Sequence, residues 1–278
     1  MDVRMRALKG VKRLVVKVGT SLLADPARGV NARRVKDLAK QVQALRARGC
    51  QVLVVTSGAI GMGMVRLGQK AKPREIPAKQ ATAAIGQVLL MGQYRRAFEA
   101  HGVPVGQMLL TRADLEDRHC YLNARNTLAT LLAQGAVPVI NENDSVAVEE
   151  IKFGDNDNLA AQVCKLAQAQ LLVIMTDVEG LFDKDPRKHA DARRVAVVPK
   201  VTAQVAASAG GEGSLVGTGG MATKVQAARI ATQAGKAMAI VDGRGKDSLL
   251  ALMAGKDIGT LFLPALKAGP SAGGRHGK

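Results

Sequence analysis

At 278 residues with 47% hydrophobic content, the chain is long enough for one large α/β domain or two small ones, and its short, separated apolar runs exclude a membrane span. The net charge of +17 lies largely towards the two ends, and four Phe, two Tyr and no Trp leave little to stack on bases, so anionic small molecules suit the excess better than nucleic acid. Lys12, Arg13 and Lys17 interrupt the front of the chain, which argues against a secretory segment, and the scattered Cys50, Cys120 and Cys164 read as reduced thiols in a cytoplasmic protein.

In chain order, the first strand expected is Arg13–Val18. Lys17 sits in it among valines, directly before Gly19-Thr20-Ser21. Desolvating a lone ammonium is costly. Either this lysine reaches solvent along its stem, or it adds a point charge beside a glycine turn whose N–H groups approach an anion. A helix follows, capped by Asn31, with Val35, Leu38, Val42 and Leu45 on one face and Gly49 closing it. The second strand, Gln51–Thr56, runs into Ser57-Gly58-Ala59-Ile60-Gly61-Met62-Gly63, a probe of small residues before a helix start. One glycine would serve a tight turn; three within six residues suit close ligand approach and a structural role about equally.

Helical patterns at Lys79–Ala100 and Tyr121–Ala133 flank a strand at Val103–Leu109. The fourth strand, Val137–Ile140, runs straight into Asn141-Glu142-Asn143-Asp144-Ser145. A second polar patch, Gly154-Asp155-Asn156-Asp157-Asn158, precedes a helix at Asn158–Gln168. Acceptors this dense could grip an amino group, hold a hydrated Mg²⁺ or orient lysines; for Asp157 or Asn158 the plainer alternative is a helix cap. The fifth strand, Leu171–Thr176, ends at Thr176-Asp177. Gly217-Thr218-Gly219-Gly220-Met221-Ala222-Thr223-Lys224 then opens a helix at Gly220–Ala234. This is no Walker A loop, and the dinucleotide fingerprint it half matches needs a preceding strand that AQVAASAGGEGSLV does not supply. A helix start for nucleotide phosphates fits better. Strands at Ala237–Val241 and Ile258–Phe262 complete the series. Nearly all-apolar strands separated by helices predict an α/β fold, a three-layer αβα sandwich around a mostly parallel sheet, with ligands beyond the carboxyl ends of the strands.

The unusual residues suit one reaction. A carboxylate acceptor, with a pKa of about 4.3, is already an anion at neutral pH and needs no general base. It needs cations that bring two anions together and carboxylates that hold those cations. Lys17 and Lys224 flanked by glycines, a group of acids, and none of His101, His119, His189 or His276 in the motifs match that requirement. A serine hydrolase does not fit, because TSGAIG lacks G-x-S-x-G.

The stretches VVKVGTSLL, VTSGAIGMG, VGQMLLTRADLEDR, LNARNTL, PVINENDSV, EIKFGDNDNLAA, TDVEGLFDKDPR and TGGMATK, in this order, resemble the amino acid kinase family; TSGAI and INEND point to its branch acting on free glutamate. The resemblance implies phosphoryl transfer from ATP to L-glutamate, giving L-glutamyl 5-phosphate, the first step of proline biosynthesis. It implies that Lys17 and Lys224 stabilise the transferring phosphoryl group and that Asp157 organises them. Ser57, Asp144 and Asn156 would bind glutamate, with Gly58, Asn141 and Asp155 close by. Thr176, Asp177, Thr218, Gly219, Gly220, Met221, Ala222, Thr223 and Lys224 would hold the nucleotide, with Mg²⁺ carried on ATP rather than in a protein metal site.

The same resemblance divides residues 1–264 into a glutamate lobe, about 13–165, and an ATP lobe, about 166–264. It leaves 265–278 as a flexible basic tail with no PUA module. Expected partners are further copies of the chain (a dimer or tetramer), proline as a feedback inhibitor and glutamyl phosphate reductase as recipient of a labile product, with no nucleic acid or membrane. An amino acid kinase acting on aspartate or N-acetylglutamate is the near alternative. A basic nucleotide- or RNA-binding regulator is the distant one, and it leaves the Asn/Asp patches without a role.

Overall fold

β-Branched and aliphatic runs become strands wherever a helix on each side can cover them. The computed structural model describes residues 2–25, 27, 29–147, 156–209 and 220–265; the expected tail beyond 265 lies outside the described residues. The strands are β1 (Arg13–Val18), β2 (Ala24–Asp25), β3 (Gly29–Val30), β4 (Gln51–Val55), β5 (Val105–Leu110), β6 (Val137–Glu142), β7 (Leu171–Thr176), β8 (Val197–Val198), β9 (Ala237–Asp242) and β10 (Thr260–Phe262). The helices are α1 (Val3–Leu8), α2 (Thr20–Leu23), α3 (Ala32–Arg46), α4 (Ala59–Arg66), α5 (Ile76–Glu99), α6 (Arg112–Glu116), α7 (Arg118–Ala133), α8 (Asn156–Leu166), α9 (Ala203–Ala209), α10 (Met221–Gln233) and α11 (Ser248–Met253).

Eight strands form one sheet in the order β5-β6-β4-β1-β7-β9-β10-β8, and β2 and β3 form a separate small ladder. From β5 to β9 every neighbouring pair is parallel. β10 runs antiparallel to β9 and parallel to β8. The expectation of a mostly parallel sheet therefore holds, with a reversed edge. One face packs Leu14, Val16 and Val18 against Val35, Leu38, Val42 and Leu45 of α3 and Leu90, Tyr94 and Phe98 of α5. The other packs Val15, Leu53 and Val55 against Leu159 and Val163 of α8 and Val225 and Ala228 of α10. The architecture is a three-layer αβα sandwich. Its central strand, β1, pairs with β4 on one side and β7 on the other, so the chain reverses its direction of travel across the sheet there. Such a switch point opens a crevice beyond the strand ends.

Candidate active site

Side chains alternate along a strand, so Lys17 points to the same face as Val15, under α8 and α10. Both helices begin near the carboxyl ends of the strands. Asp157 lies in the first turn of α8, where a negative charge is favoured by the helix dipole, and Lys224 opens α10. The three side chains meet. Lys17 Nζ is 2.6 Å from Asp157 Oδ1, and Lys224 Nζ is 3.1 Å from Asp157 Oδ2. Their exposures are 2% for Lys17, 0% for Asp157 and 5% for Lys224, so Lys17 does not reach out to solvent and Asp157 does more than start a helix. Thr223 Oγ1 lies 3.1 Å from Asp157 Oδ2, which ties the opening turn of α10 to the same carboxylate.

The turn after β4 is built by Gly58, which sits at φ +108°, in the left-handed region that favours glycine. It turns the chain into α4 and leaves Ser57 facing α8. Asn156 Nδ2 donates to Ser57 Oγ at 3.0 Å, to Asn141 Oδ1 at 2.8 Å, and to the Thr56 carbonyl. Behind this loop Tyr94 donates its hydroxyl to Thr56 Oγ1 at 2.8 Å, and burial pushes its phenol pKa up.

These groups surround a cavity of about 840 Å³. Lys17, Ser57, Gly58, Asn141 and Asp144 line it, as do Asn156, Thr176, Asp177 and Lys224. Burial alone would raise the Asp177 carboxyl pKa. Hydrogen bonds from Ser21 and Thr176, with the charge of Arg244, outweigh burial and hold it below its ordinary value. Asp157 lies beneath the lining. Gly220 precedes the first residues of α10, Met221, Ala222 and Thr223, and none of these four is part of the lining. Asp155, Thr218 and Gly219 lie outside the described residues. The lining also includes Glu142, Lys72 and Lys79. Lys72 and Lys79 come from the KAKPREIPAK segment, Lys72 before α5 and Lys79 in its first turn, and no motif marked either of them.

A second cavity, of about 510 Å³, lies on the α3 side of the sheet and is lined by Arg33, Arg34, Lys40 and Arg244 among others. Arg34 donates to the Arg244 carbonyl at 2.9 Å, and Arg244 pairs with Asp242 at 2.8 Å, so these two guanidinium groups already have partners.

The chain matches the amino acid kinase family over residues 12–242. The glutamate 5-kinase of Pelobacter propionicus is 50% identical over 261 residues, spanning 94% of this chain and 70% of that protein. The glutamate 5-kinase of Clostridium acetobutylicum is 44% identical over 267 residues, spanning 96% of this chain and 100% of that protein. Among solved structures, UMP kinase from Bacillus anthracis superposes with a TM-score of 0.62 at 15% identity, over 92% of this chain and 97% of that one, a likeness of fold alone.

Proposed function

The chain belongs to the amino acid kinase family, and on that premise we infer that it transfers the γ-phosphoryl group of ATP to the side-chain carboxylate of L-glutamate, giving L-glutamyl 5-phosphate for proline biosynthesis. The choice of glutamate rests on the likeness to glutamate 5-kinases. The observation that carries the chemistry is the buried Lys17–Asp157–Lys224 triad at the edge of the cavity. One carboxylate holds two ammonium groups at the edge of the cavity, an arrangement that suits an anionic phosphoryl group. The glutamate carboxylate attacks as an anion, so the protein has no proton to remove. None of the described histidines lines the cavity.

In this reading Lys17 and Lys224 hold the transferring phosphoryl group and Asp157 fixes the distance between them. Ser57, Gly58, Asn141, Asp144 and Asn156, with Asp155, take the amino acid on the side of residues 13–165. Thr176, Asp177 and residues 218–224 take ATP on the side of 166–264. Among the described residues no three His, Cys, Asp or Glu side chains converge as a metal cage. A Mg²⁺ arriving on the ATP phosphates would supply charge neutralisation there, with Asp177, Glu142 and Asp144 in the lining to receive its water shell. Assembly as a dimer or tetramer, inhibition by proline, handover of the labile acyl phosphate to a glutamyl phosphate reductase and a cytoplasmic site of action belong to the same proposal. Among the described residues no helix is long and apolar enough to cross a membrane.

The test is ATP turnover with L-glutamate, Mg²⁺ and hydroxylamine, which traps an acyl phosphate as a hydroxamate, with aspartate and N-acetylglutamate in parallel. Hydroxamate from glutamate alone is expected. Lys17→Ala should lose about a hundredfold or more in turnover. Hydroxamate from another acid would move the substrate, and its absence with all three would overturn the reading.

A further inference from the structure

Four carboxamides stand in line from the edge strand of the sheet to the turn after β4. Gln107, exposed on β5, accepts through Oε1 from Gln87 Nε2 at 3.0 Å. Gln87, on α5 and 8% exposed, accepts through Oε1 from Asn141 Nδ2 at 2.9 Å. Asn141, 2% exposed, accepts through Oδ1 from Asn156 Nδ2 at 2.8 Å. The Asn156 amino group also reaches Ser57 Oγ and the Thr56 carbonyl.

A carboxamide accepts at one end and donates at the other, so the orientation of each member dictates that of the next. The two hydrogens of the Asn156 amino group are shared among three protein acceptors, and its carbonyl oxygen, with no hydrogen-bond partner among the described residues, is left to offer the cavity that Asn156 lines. An acceptor there suits an ammonium group. We propose that Gln87 is a positioning residue: by accepting from Asn141 it holds the relay in the polarity that presents the Asn156 oxygen to the amino group of the bound amino acid. The inference rests on the glutamate reading above and deepens it. Gln87 is not part of the cavity lining, and no catalytic motif contains it. Without its oxygen, the buried amino group of Asn141 would lack an acceptor, and an Asn141 that turned over would set its amino group against that of Asn156, which then gives up either the relay or the Thr56 carbonyl.

The experiment compares wild type, Gln87→Met and Gln87→Glu in the full chain, with glutamate and with glutarate, the same diacid lacking the amino group. Gln87→Met should raise the glutamate KM about tenfold or more and cut the preference for glutamate over glutarate by a similar factor, with the ATP KM held within about twofold. Gln87→Glu keeps an accepting oxygen towards Asn141, and Gln107 can turn its own amide to donate, so both parameters should stay within about threefold of wild type. Gln87→Asn is polar but one methylene too short to reach Asn141, and it carries the Met prediction if Gln87→Met does not fold. A folded Met or Asn variant with the wild-type KM and glutamate-to-glutarate ratio overturns the proposal, as does a Glu variant impaired as much as Met. If wild type phosphorylates a different amino acid, the glutamate reading falls, and the same ratios, taken with that acid and its deaminated counterpart, still judge the relay. If wild type distinguishes no amino acid from its deaminated counterpart, the relay falls as well.

Discussion

Asp157 is the residue on which most depends, because each of its oxygens holds a different lysine in a place water does not reach. Removing one partner of a buried charge group costs more than the group itself contributes, since the charges left behind keep their desolvation penalty. Asp157→Asn leaves Lys17 and Lys224 facing a neutral amide that cannot balance either. The expected result is a loss of about 3–5 kcal/mol in chemical denaturation, together with a fall in turnover of about a hundredfold or more at saturating substrates. A variant with normal kcat would remove the triad from the mechanism. Arg4 shows the opposite surprise. Part of the basic excess near the front of the chain, it is 3% exposed in the fold and donates to the Ala196 and Ile258 carbonyls, so this cation clamps α1 onto the reversed edge of the sheet.

Among the elements, the pair α4 and α5 frames the amino acid side of the cavity. Their backbones touch. A Cβ at Gly63 would stand 1.9 Å from the Thr82 carbonyl oxygen, and one at Gly86 would stand 1.7 Å from that of Ala59. Neither acceptor is a side chain that can swing aside. The glycines of TSGAIGMG thus divide their work: Gly58 makes the turn, Gly61 lines the cavity and Gly63 lets α5 approach. Gly86→Ala should cost about 1–3 kcal/mol by forcing the helices apart, and should raise the glutamate KM more than the ATP KM because α4 starts at the substrate turn. Gly92→Ala, on the same helix with open space around it, should be neutral or stabilise by up to about 1 kcal/mol. Urea denaturation and steady-state kinetics on the two variants check both outcomes; equal effects would rule out close helix contact as the reason for Gly86.

The whole molecule should respond to pH on both sides of a plateau. Asp185 is brought to about 2 by hydrogen bonds from Arg187. Asp242 is held below its ordinary 3.8 because Arg244 outweighs the upward push of burial, and Asp177 is lowered too. Carboxyls depressed in the folded state contribute stability that is present above their unfolded value and is lost as pH falls through the folded one. Burial pushes the Cys164 thiol from 9.0 up to about 12 and raises the Tyr94 phenol from 10.0. Groups raised in the folded state contribute stability that is present below the unfolded value and lost as pH rises towards the folded one. The melting temperature should therefore be level from about pH 4 to 9 and fall beyond either end. Cys164→Ala should make the alkaline limb shallower. A limb unchanged in that variant would take the thiol out of the linkage.

What the sequence determined by itself was whatever a dozen neighbouring residues encode. The bounds of β1 and β7, the Asn31 cap of α3, the alternation of strand and helix and the polar stretches at strand ends were all legible, because periodicity, capping and glycine turns are local. The tertiary structure alone decided which of those pieces meet. Lys224 and Asp157 are 67 positions apart and share a hydrogen bond; Gln87, Tyr94 and Arg4 gained their partners from other elements, and β8 and the reversal of β10 had no local signature. The cost of closing a loop grows only slowly with its length, so distance along the chain says little about contact. Strand order and the faces that helices bury set those contacts, and both are properties of the packed whole.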